Sequence, residues 1–358
     1  METKIRQISF KNQDIFIGID SHLKNWKITI MLENTVFKTF SMNPSAKELA
    51  MYLKKNFPEG NYFSAYEASF CGYSIHRELE KYGINNIIVN PADIPTTDKE
   101  RKQKEDKRDS RKIAKTLQNG DLKGIYIPSI TTVEFRSLIR YRKTLVKEIS
   151  RTKNRIKSFL YFQGICIPIE LDSASKYWSG KFTKWLYTIN FATKYGKLVM
   201  CNLIDTAEYL RTNLLKVNRE LRSIYSSSTF SNKLKLLCTI PGIALIVAAT
   251  ILSELENIER FGNLDKFCSY IGLVPTTKSS GDKDKVGNIT PRANKPLRGI
   301  LIESAWVAIR NDPALALSFN ELCKRMKKNE AIIRIAKKLL NRIRYVMKNE
   351  TEYVYAVV

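Results

Sequence analysis

Four carboxylates have the types and positions that a metal-dependent reaction needs. Asp20 and Glu67 each end an apolar, β-type run of residues. Asp106 and Asp109 lie three residues apart in a basic segment, so a helix would place both on one face. Magnesium prefers oxygen ligands, and two ions about 4 Å apart can clamp the attacking and leaving oxygens of a phosphoryl transfer. The four acids predict a Mg²⁺ site, with Mn²⁺ as the alternative ion.

Three short strands, one more strand and one helix are predicted to position these acids. The run that ends at Asp20 is followed by alternating runs at 26–32 and 36–40, which indicate an antiparallel meander. Ser45 provides a helix start signal ahead of the strand that ends at Glu67. Open α/β sheets place their sites at strand ends. The helix that carries Asp106 and Asp109 is predicted to run to about residue 119.

A structural interpretation of the same acids stays open. Asp20 and Glu67 would then be ordinary strand-end acids, and the other two would belong to a solvated, mixed-charge helix. For either pair alone this interpretation is favoured, because surface charges are common. The presence of all four favours the metal site.

The composition indicates a polyanionic partner. The chain has 358 residues and a formal charge of +25, and the positive charge is spread through several predicted helices. The longest apolar run, 243–252, is too short to span a bilayer, and the N-terminus lacks a signal-peptide core. We therefore expect a cytoplasmic protein that binds nucleic acid and no membrane.

Cysteine and histidine usage excludes several other classes. The six cysteines include no Cys-x-x-Cys pair and the chain has two histidines, so neither structural zinc nor a disulfide framework is expected. A His-x-His core and a nucleotide-binding Gly-x-x-x-x-Gly-Lys-Ser/Thr loop are both missing from the sequence. Phosphoryl exchange without an external energy source remains.

Three domains are predicted, at 1–128, 129–230 and 231–358. Residues 131–163 form one long helix with a broken heptad and basic faces, which is either packed within its own domain or part of a dimerising or RNA-contacting coiled coil. Five aromatic residues that follow are more often core than base-stacking platforms: Tyr177, Trp178, Phe182, Trp185 and Tyr187.

The C-terminal part is predicted to be mainly helical. The turn Pro241-Gly242 before a helix at 245–255 is typical of a helix-hairpin-helix, whose amides approach phosphate, and also of a simple helix joint. A polar, flexible loop is predicted at 276–287, and it contains Ser279-Ser280-Gly281. Further helices are predicted at 297–309 and, with strong positive charge, at 325–348.

Several blocks of the sequence, in order along nearly the whole chain, resemble the insertion-sequence one-ten and Piv family of transposases and DNA invertases. They are Gly18-Ile19-Asp20-Ser21-His22, Tyr66-Glu67-Ala68-Ser69-Phe70-Cys71-Gly72-Tyr73, Val89-Asn90-Pro91-Ala92-Asp93-Ile94-Pro95, Lys104-Glu105-Asp106-Lys107-Arg108-Asp109-Ser110-Arg111-Lys112, Ile240-Pro241-Gly242-Ile243, Tyr270-Ile271-Gly272-Leu273-Val274-Pro275, Ser280-Gly281, Gly287-Asn288-Ile289-Thr290 and Leu297-Arg298.

This resemblance implies a RuvC-like domain (RNase H fold) with an Asp-Glu-Asp-Asp tetrad and a C-terminal domain with a catalytic serine. By motif position the tetrad is Asp20, Glu67, Asp106 and Asp109, and the serine is Ser280. From its loop position alone, Ser280 would be an ordinary loop serine. The resemblance also implies guidance by a structured bridge RNA. The sequence departs from the family pattern at Leu23, which precedes Lys24, and at Ala293, where glycine is usual.

The expected protein is thus an α/β plus α DNA recombinase: a RuvC-like domain, a central helical coiled coil and a mainly helical transposase domain. Mg²⁺-dependent cleavage of double-stranded DNA would pass through a covalent phosphoserine, in a bacterial, nucleoid-associated homodimer or homotetramer guided by bridge RNA. The expected nucleic-acid contacts are Lys104, Lys107, Arg108, Arg111, Arg292, Lys295 and Arg298. Two alternatives are a metal-dependent junction nuclease, in which water attacks and Ser280 is idle, and a non-catalytic nucleic-acid-binding protein.

Overall fold

A five-stranded mixed sheet organises the N-terminal part of the chain. The computed structural model describes residues 9–95, 106–280 and 283–355, with the side chains at 106–108, 277–280 and 283–286 left outside the description. The chain divides into two compact units, Met1–Ile127 and Pro128–Val358, which we call the sheet unit and the helical unit. The division into three domains stays a prediction.

The sheet unit contains strands and helices in alternation. Its strands are β1 (Asp14–Ser21), β2 (Trp26–Leu32), β3 (Thr35–Met42), β4 (Asn61–Glu67) and β5 (Asn85–Val89). Its helices are α1 (Ala46–Asn56), α2 (Ser74–Lys81) and α3 (Asp106–Gln118), with a 3-10 turn at Pro91–Asp93. The Ser45 side chain caps α1 by accepting from the Glu48 N–H at 3.2 Å, so the predicted helix start is confirmed.

The strand order is β3-β2-β1-β4-β5. β1, β2 and β3 pair antiparallel, which confirms the predicted meander, whereas β1 pairs with β4 and β4 with β5 in parallel. Successive side chains of a strand point to opposite faces of a sheet. The isoleucines Ile15, Ile17 and Ile19 of β1 are fully buried in a core with α1 and α2. The opposite face of β1 is the one that receives α3.

The helical unit contains nine helices within the described residues, together with one pair of strands. The helices are α4 (Ile130–Phe162), α5 (Gly180–Thr188), α6 (Lys194–Ser227), α7 (Ser231–Cys238), α8 (Leu245–Leu255), α9 (Leu264–Ile271), α10 (Lys295–Asn311), α11 (Pro313–Cys323) and α12 (Lys328–Asn349). The strands are β6 (Pro275–Ser280) and β7 (Lys283–Ile289). Throughout the part of the chain described, no helix combines the length and apolarity needed to cross a membrane.

The long helix predicted at 131–163 is confirmed as α4, and it packs antiparallel against α6 of the same chain. Arg142 near the start of α4 donates from Nε to Asn218 Oδ1 near the end of α6, at 2.8 Å. At the other end, Ile156 of α4 shares a buried cluster with Ile204 of α6. Much of the apolar side of α4 is therefore buried against helices of its own unit. Dimerisation through this hairpin stays a prediction.

The segment predicted as a flexible loop at 276–287 is instead a pair of antiparallel strands, so that prediction was wrong. Ser279 pairs with Asp284 and Ser280 with Lys283. The residues between the strands, 281–282, lie outside the described residues and include Gly281. The cause of the error is the polar composition: a ribbon with little apolar alternation lacks the period-two signal that identifies strands. We call this element the β6–β7 ribbon.

A buried polar network closes the C-terminal end of the helical unit around Asp312. Its carboxylate caps α11 by accepting from the Leu315 N–H at 2.9 Å, and it accepts from the Tyr353 hydroxyl at 2.6 Å and from Arg342. Burial by itself raises the pKa of Asp312, but these hydrogen bonds and the Arg342 charge outweigh burial, so the pKa lies below its ordinary value. Burial and the bond to Asp312 raise the pKa of Tyr353 to about 12.

Replacing this buried carboxylate should destabilise the helical unit in a pH-dependent way. Asp312→Asn leaves the Arg342 charge without its counter-ion, and we expect a loss of about 3 kcal/mol in the free energy of unfolding at pH 7. Because the folded-state pKa is depressed, the carboxylate stabilises the fold above its ordinary pKa of 3.8, and this contribution disappears as pH falls through the folded-state pKa.

Urea denaturation between pH 7 and pH 3 measures this difference. The gap between Asp312→Asn and the unaltered protein should be largest near neutrality and should narrow in acid. Asp265→Asn, at an exposed position of α9, is the matched control and should change stability by less than about 0.5 kcal/mol. Equal stability of Asp312→Asn and the unaltered protein at pH 7 would show that the network contributes nothing.

Candidate functional site

Asp20 and Glu67 lie next to each other at the ends of two neighbouring parallel strands. The pairing of Ile19 with Tyr66 makes Asp20 and Glu67 the next residues along β1 and β4. Adjacent strands are about 4.8 Å apart, and the alternation of side chains sends both acids to the same face of the sheet. The stacked rings of Phe16 and Phe63, with centroids 5.7 Å apart, lie four residues earlier on that face.

Helix α3 packs on this same face, and Gly18 permits its close approach. A Cβ atom at Gly18 would lie 2.0 Å from the Ser110 carbonyl oxygen and 2.5 Å from the Ala114 backbone nitrogen. The buried Ser110 hydroxyl is 2.9 Å from the hydroxyl of Thr29, which pairs with Gly18 across β1 and β2. Because Gly18 is two residues from Asp20, α3 is anchored about 6.6 Å along the strand from that acid.

The other two predicted acids are close in the sequence to Ser110, the residue of α3 that contacts Gly18. Asp109 directly precedes Ser110 and is half-buried, and Asp106 is the first residue of α3, one turn before Ser110. The side chain of Asp106 lies outside the described residues. Among the side chains that are described, no group of three or more histidine, cysteine or acidic residues is gathered at metal-binding distance. The donor set nonetheless consists of hard carboxylate oxygens, the type that magnesium binds.

Groups around the acids fix the strand ends. His22 Nε2 lies 3.1 Å from Asp20 Oδ2. The fully buried Tyr66, which precedes Glu67, donates its hydroxyl hydrogen to the Gly72 carbonyl at 2.9 Å and accepts from the His76 N–H at 3.2 Å. Burial raises the pKa of the Tyr66 hydroxyl, so this residue is a permanently neutral support. The end of β4 is therefore held by bonds to the segment that follows it.

Ser280 is the last residue of β6, and its side chain lies outside the described residues. The base of the β6–β7 ribbon is closed by Arg298 of α10, whose Nη1 donates to the carbonyls of Gly272 at 3.3 Å and Thr290 at 2.6 Å. Those two carbonyls flank the ribbon on its two sides. Arg298, predicted as a nucleic-acid contact, thus makes structural bonds that fix where the ribbon starts and ends.

Ala293, which stands where glycine is usual in the resembling family, packs against the same junction. A Cβ atom at Gly272 (φ +83°) would lie 2.3 Å from the Ala293 Cβ. Ala293 is not among the described residues with positive φ. The alanine methyl therefore fits the space left by Gly272, and its backbone needs no conformation that disfavours alanine.

Sequence reasoning missed a buried glutamate beneath the ribbon. Glu254 of α8 is 4% exposed and accepts from Arg140 of α4, with an Nη2–Oε1 distance of 2.8 Å. Its other oxygen accepts from Asn294 Nδ2 at 3.1 Å, while Asn294 Oδ1 caps α10 by accepting from the Leu297 N–H. Arg136 of α4, one of the basic residues of the predicted long helix, donates from Nε to the Ser253 carbonyl at 2.8 Å. The signal available in the sequence was an acid inside an otherwise apolar helix.

Comparisons with known proteins cover both units. A family model described as Transposase IS116/IS110/IS902 family matches residues 234–319, and the DEDD model of IS110 elements, described as Transposase, matches residues 17–163. The chain belongs to the IS110/IS116 family of insertion-sequence transposases. The first match includes the β6–β7 ribbon, and the second includes the second half of β1, with Asp20, together with β4 and α3.

Individual relatives of this transposase agree with the family models. It is 27% identical to the putative transposase y4rJ of Sinorhizobium fredii over 366 residues, which is 91% of this chain and 90% of that protein. A second putative transposase of that organism, y4qE, is 27% identical over 247 residues, 68% of this chain and 58% of that protein. The transposase for the element IS1533 of Leptospira borgpetersenii is 26% identical over 305 residues, 82% of this chain and 84% of that protein.

The other residues predicted to contact nucleic acid differ in whether they are exposed and in whether their side chains are described. Arg111 on α3 is exposed, as are Arg292 and Lys295 at the start of α10. Lys104 lies outside the described residues, and so do the side chains of Lys107 and Arg108. The Pro241-Gly242 turn packs at Gly242 against the backbone of α10, since a Cβ there would lie 2.4 Å from the Ser304 carbonyl oxygen. Its role as a phosphate-binding hairpin stays a prediction.

The contact at Gly18 yields a test of how the site is built. Gly18→Ala adds a methyl that must displace the backbone of α3, and we expect a loss of about 1–3 kcal/mol in stability together with loss of strand cleavage. Hydrogen-exchange mass spectrometry should show faster exchange of the α3 amides. Gly299→Ala is the matched control, because no atom lies within 4 Å of its added Cβ and alanine favours a helix by up to about 1 kcal/mol. If the amide hydrogens of α3 exchange at the same rate in Gly18→Ala as in the unaltered protein, the position of α3 does not depend on this contact.

Proposed function

We propose that this transposase cuts and exchanges DNA strands by metal-dependent phosphoryl transfer through a covalent phosphoserine on Ser280. The observation that carries the proposal is the adjacency of Asp20 and Glu67 on the sheet face that receives α3. Asp106 and Asp109 lie in the first turn of α3, directly before the Ser110 contact with Gly18, which supports their inclusion in the proposed site. The mixed α/β sheet unit is consistent with the RuvC-like domain implied by the resemblance.

Asp20, Glu67, Asp106 and Asp109 would hold the divalent ions, for which Mg²⁺ is proposed and Mn²⁺ is the alternative. When bound, such ions neutralise charge that develops on the scissile phosphate and orient its oxygens. The chain supplies the oxygen donors and a rigid support for them. The bonds of Tyr66 behind Glu67 and the docking of α3 on Gly18 keep the donors from separating through mutual repulsion.

The serine step conserves the energy of the broken bond. The Ser280 oxygen attacks phosphorus and loses its proton, a Ser O–P bond forms, the P–O bond to one strand end breaks, and that end leaves as a hydroxyl group. Attack by the hydroxyl of another strand end reverses the step and releases the serine. Strand exchange therefore requires no nucleotide cofactor. Since one Ser280 serves one strand, a homodimer or homotetramer is part of the proposal, and the serine acts in the same or a neighbouring protomer.

The β6–β7 ribbon supports this role for Ser280. The backbone of Ser280 is paired with that of Lys283 at the end of the ribbon, so it has less conformational freedom than the backbone of an open loop. The charge of +25 supports binding of double-stranded DNA and of a structured RNA at the same time. Guidance by a bridge RNA rests on the family resemblance alone, and a nucleoid-associated location in a bacterial cell follows from the DNA substrate.

Removal of a tetrad carboxylate should abolish strand cleavage and leave DNA binding intact. We expect Glu67→Gln and Asp106→Asn each to lower strand cleavage by about 100-fold or more, because each removes a ligand charge, while DNA affinity changes little. Excess chelator should stop the unaltered protein, and added Mg²⁺ or Mn²⁺ should restore it. Glu78→Gln, an exposed glutamate on α2, is the control. Full cleavage in either tetrad variant, or in chelator, would remove the tetrad from the mechanism.

Ser280, and not Ser279, should carry the covalent link. They are the last two residues of β6, and successive residues of a strand face opposite sides, so the two hydroxyls are not interchangeable. The resemblance places the reactive serine directly before the glycine. Ser280→Ala should therefore abolish recombination with fold and binding intact, whereas Ser279→Ala should retain activity.

A denaturing gel for a protein–DNA adduct, followed by mass spectrometry of the adduct, tests this assignment. A DNA remnant on Ser280 is the expected result. A remnant on Ser279 or on a tyrosine would overturn it. Cleavage without any adduct would identify a junction nuclease that uses water, and binding without cleavage would identify a non-catalytic nucleic-acid-binding protein.

A further inference from the structure

A cavity of about 410 Å³ lies in the helical unit where α4, α5 and α6 meet. This volume falls within the range of about 300–1,000 Å³ that is usual for small-ligand sites. Its floor is apolar and comes from the buried side chains of Ile156, Leu186 and Ile204. None of the residues discussed for the tetrad or the β6–β7 ribbon lines it. The cavity is therefore a separate feature of the transposase.

Two cations face this cavity beside the apolar floor. Lys153 of α4 is half-buried, and Arg211 of α6 is exposed at the rim. Burial and the neighbouring charge of Arg211 lower the pKa of the Lys153 ammonium. No ion pair joins either side chain to a carboxylate within the described part of the chain. Two adjacent cations with no internal counter-ion would be stabilised by an anionic group placed between them.

Aromatic rings form one wall of the cavity. Tyr177 and Trp178 are half-buried, in contrast to Phe182, which is fully buried in the core below them. The rings of Tyr177 and Trp178 pack edge-on against Phe182, with centroids 5.5 and 5.1 Å away, so they border the core and also line the cavity. Trp178 has a φ of +66°, a backbone conformation that is costly for a large residue and that concentrates at ligand-binding positions.

The third chemical component is an acid at the rim. Glu208 of α6 is exposed and lines the cavity one turn before Arg211. A carboxylate accepts hydrogen bonds from amino groups, such as the exocyclic amine of cytosine or adenine. The cavity thus combines an aromatic wall and apolar floor for a flat ring, two cations for a phosphate, and an acceptor for a base edge.

We propose that this cavity binds one unpaired nucleotide of a single-stranded nucleic acid, with its base against Tyr177 and Trp178 and its phosphate between Lys153 and Arg211. Stacking on aromatic side chains combined with cationic contacts to the backbone is the general mode of single-strand recognition. A base-paired nucleotide is excluded, because its ring is stacked within a duplex and cannot enter a cavity. The proposal rests on the proposed function in assuming a nucleic-acid partner, but it requires no cleavage.

Fluorescence anisotropy with labelled oligonucleotides of about ten residues tests the proposal in the full-length protein. The ligands are an oligocytidine as DNA, the same strand as RNA, and a DNA duplex of equal length. The double variant Lys153→Gln, Arg211→Gln should lose about tenfold in affinity for a single strand and little for the duplex. Arg219→Gln, an exposed arginine on α6 outside the cavity, is the charge-matched control and should leave single-strand affinity within about twofold.

The aromatic wall is tested by Trp178→Ala and Trp178→Phe. We expect the alanine variant to lose about tenfold in single-strand affinity and the phenylalanine variant to retain most of it, since a ring that can stack remains. If the two variants unfold at similar temperatures, a difference in their single-strand affinity reflects lost stacking and not lost folding. Photocross-linking of an iodocytosine strand should label Tyr177 or Trp178, as mapped by mass spectrometry.

The outcomes are distinct. Tighter binding of the RNA strand would identify a nucleotide of a guide as the ligand, and tighter binding of the DNA strand would identify a displaced DNA strand. Equal losses on single strand and duplex, equal losses in Arg219→Gln, or cross-links confined to residues elsewhere would each overturn the proposal. Because the measurement is binding, its failure leaves the tetrad and serine assignments intact, and failure of those assignments leaves this result intact.

Discussion

The contact between α3 and Gly18 is the constraint on which the candidate active site depends. Any side chain at position 18 would meet the helix backbone, so the absence of a Cβ sets how closely α3 lies on the sheet. The sheet supplies two acids at adjacent strand ends, and the helix supplies two more in its first turns. A shift of a helix by even 1 Å would change distances that metal coordination restricts to a few tenths of an ångström. The geometry of the candidate site therefore depends on the packing of α3 as much as on the four carboxylates themselves.

In the helical unit, the main structural requirement is that the polar β6–β7 ribbon be held in place. The β6–β7 ribbon offers little apolar surface, so its position is fixed by bonds at its base: Arg298 to two flanking carbonyls, and Ala293 against Gly272. Beneath that base, Glu254 joins Arg140 of α4 to Asn294 at the start of α10. A buried carboxylate with several charge-assisted partners is stable only when all of them are present. Glu254 thus links α4, α8 and the residue that caps α10.

The excess of positive charge is divided among different tasks in the structure. Some cations are structural: Arg136, Arg140 and Arg298 satisfy buried acceptors. Others, such as Arg111, Arg292 and Lys295, are exposed, and their charges add to the long-range attraction of a phosphate backbone. Lys153 and Arg211 form a third group, since they border a cavity with an aromatic wall. Net charge alone predicts the class of partner, and the location of each charge decides what it does there.

Local periodicity, capping and motif order were enough to predict the strands that end at Asp20 and Glu67, the meander, the long helix α4 and the family. They did not reveal the β6–β7 ribbon, the buried partners of Arg136 and Arg298, or the cavity beside Trp178. Those features depend on groups far apart in the chain, such as Arg140 and Glu254, and on which of several similar side chains is desolvated. Local sequence patterns carry no information on such long-range partners, so these features became visible only once the chain was folded.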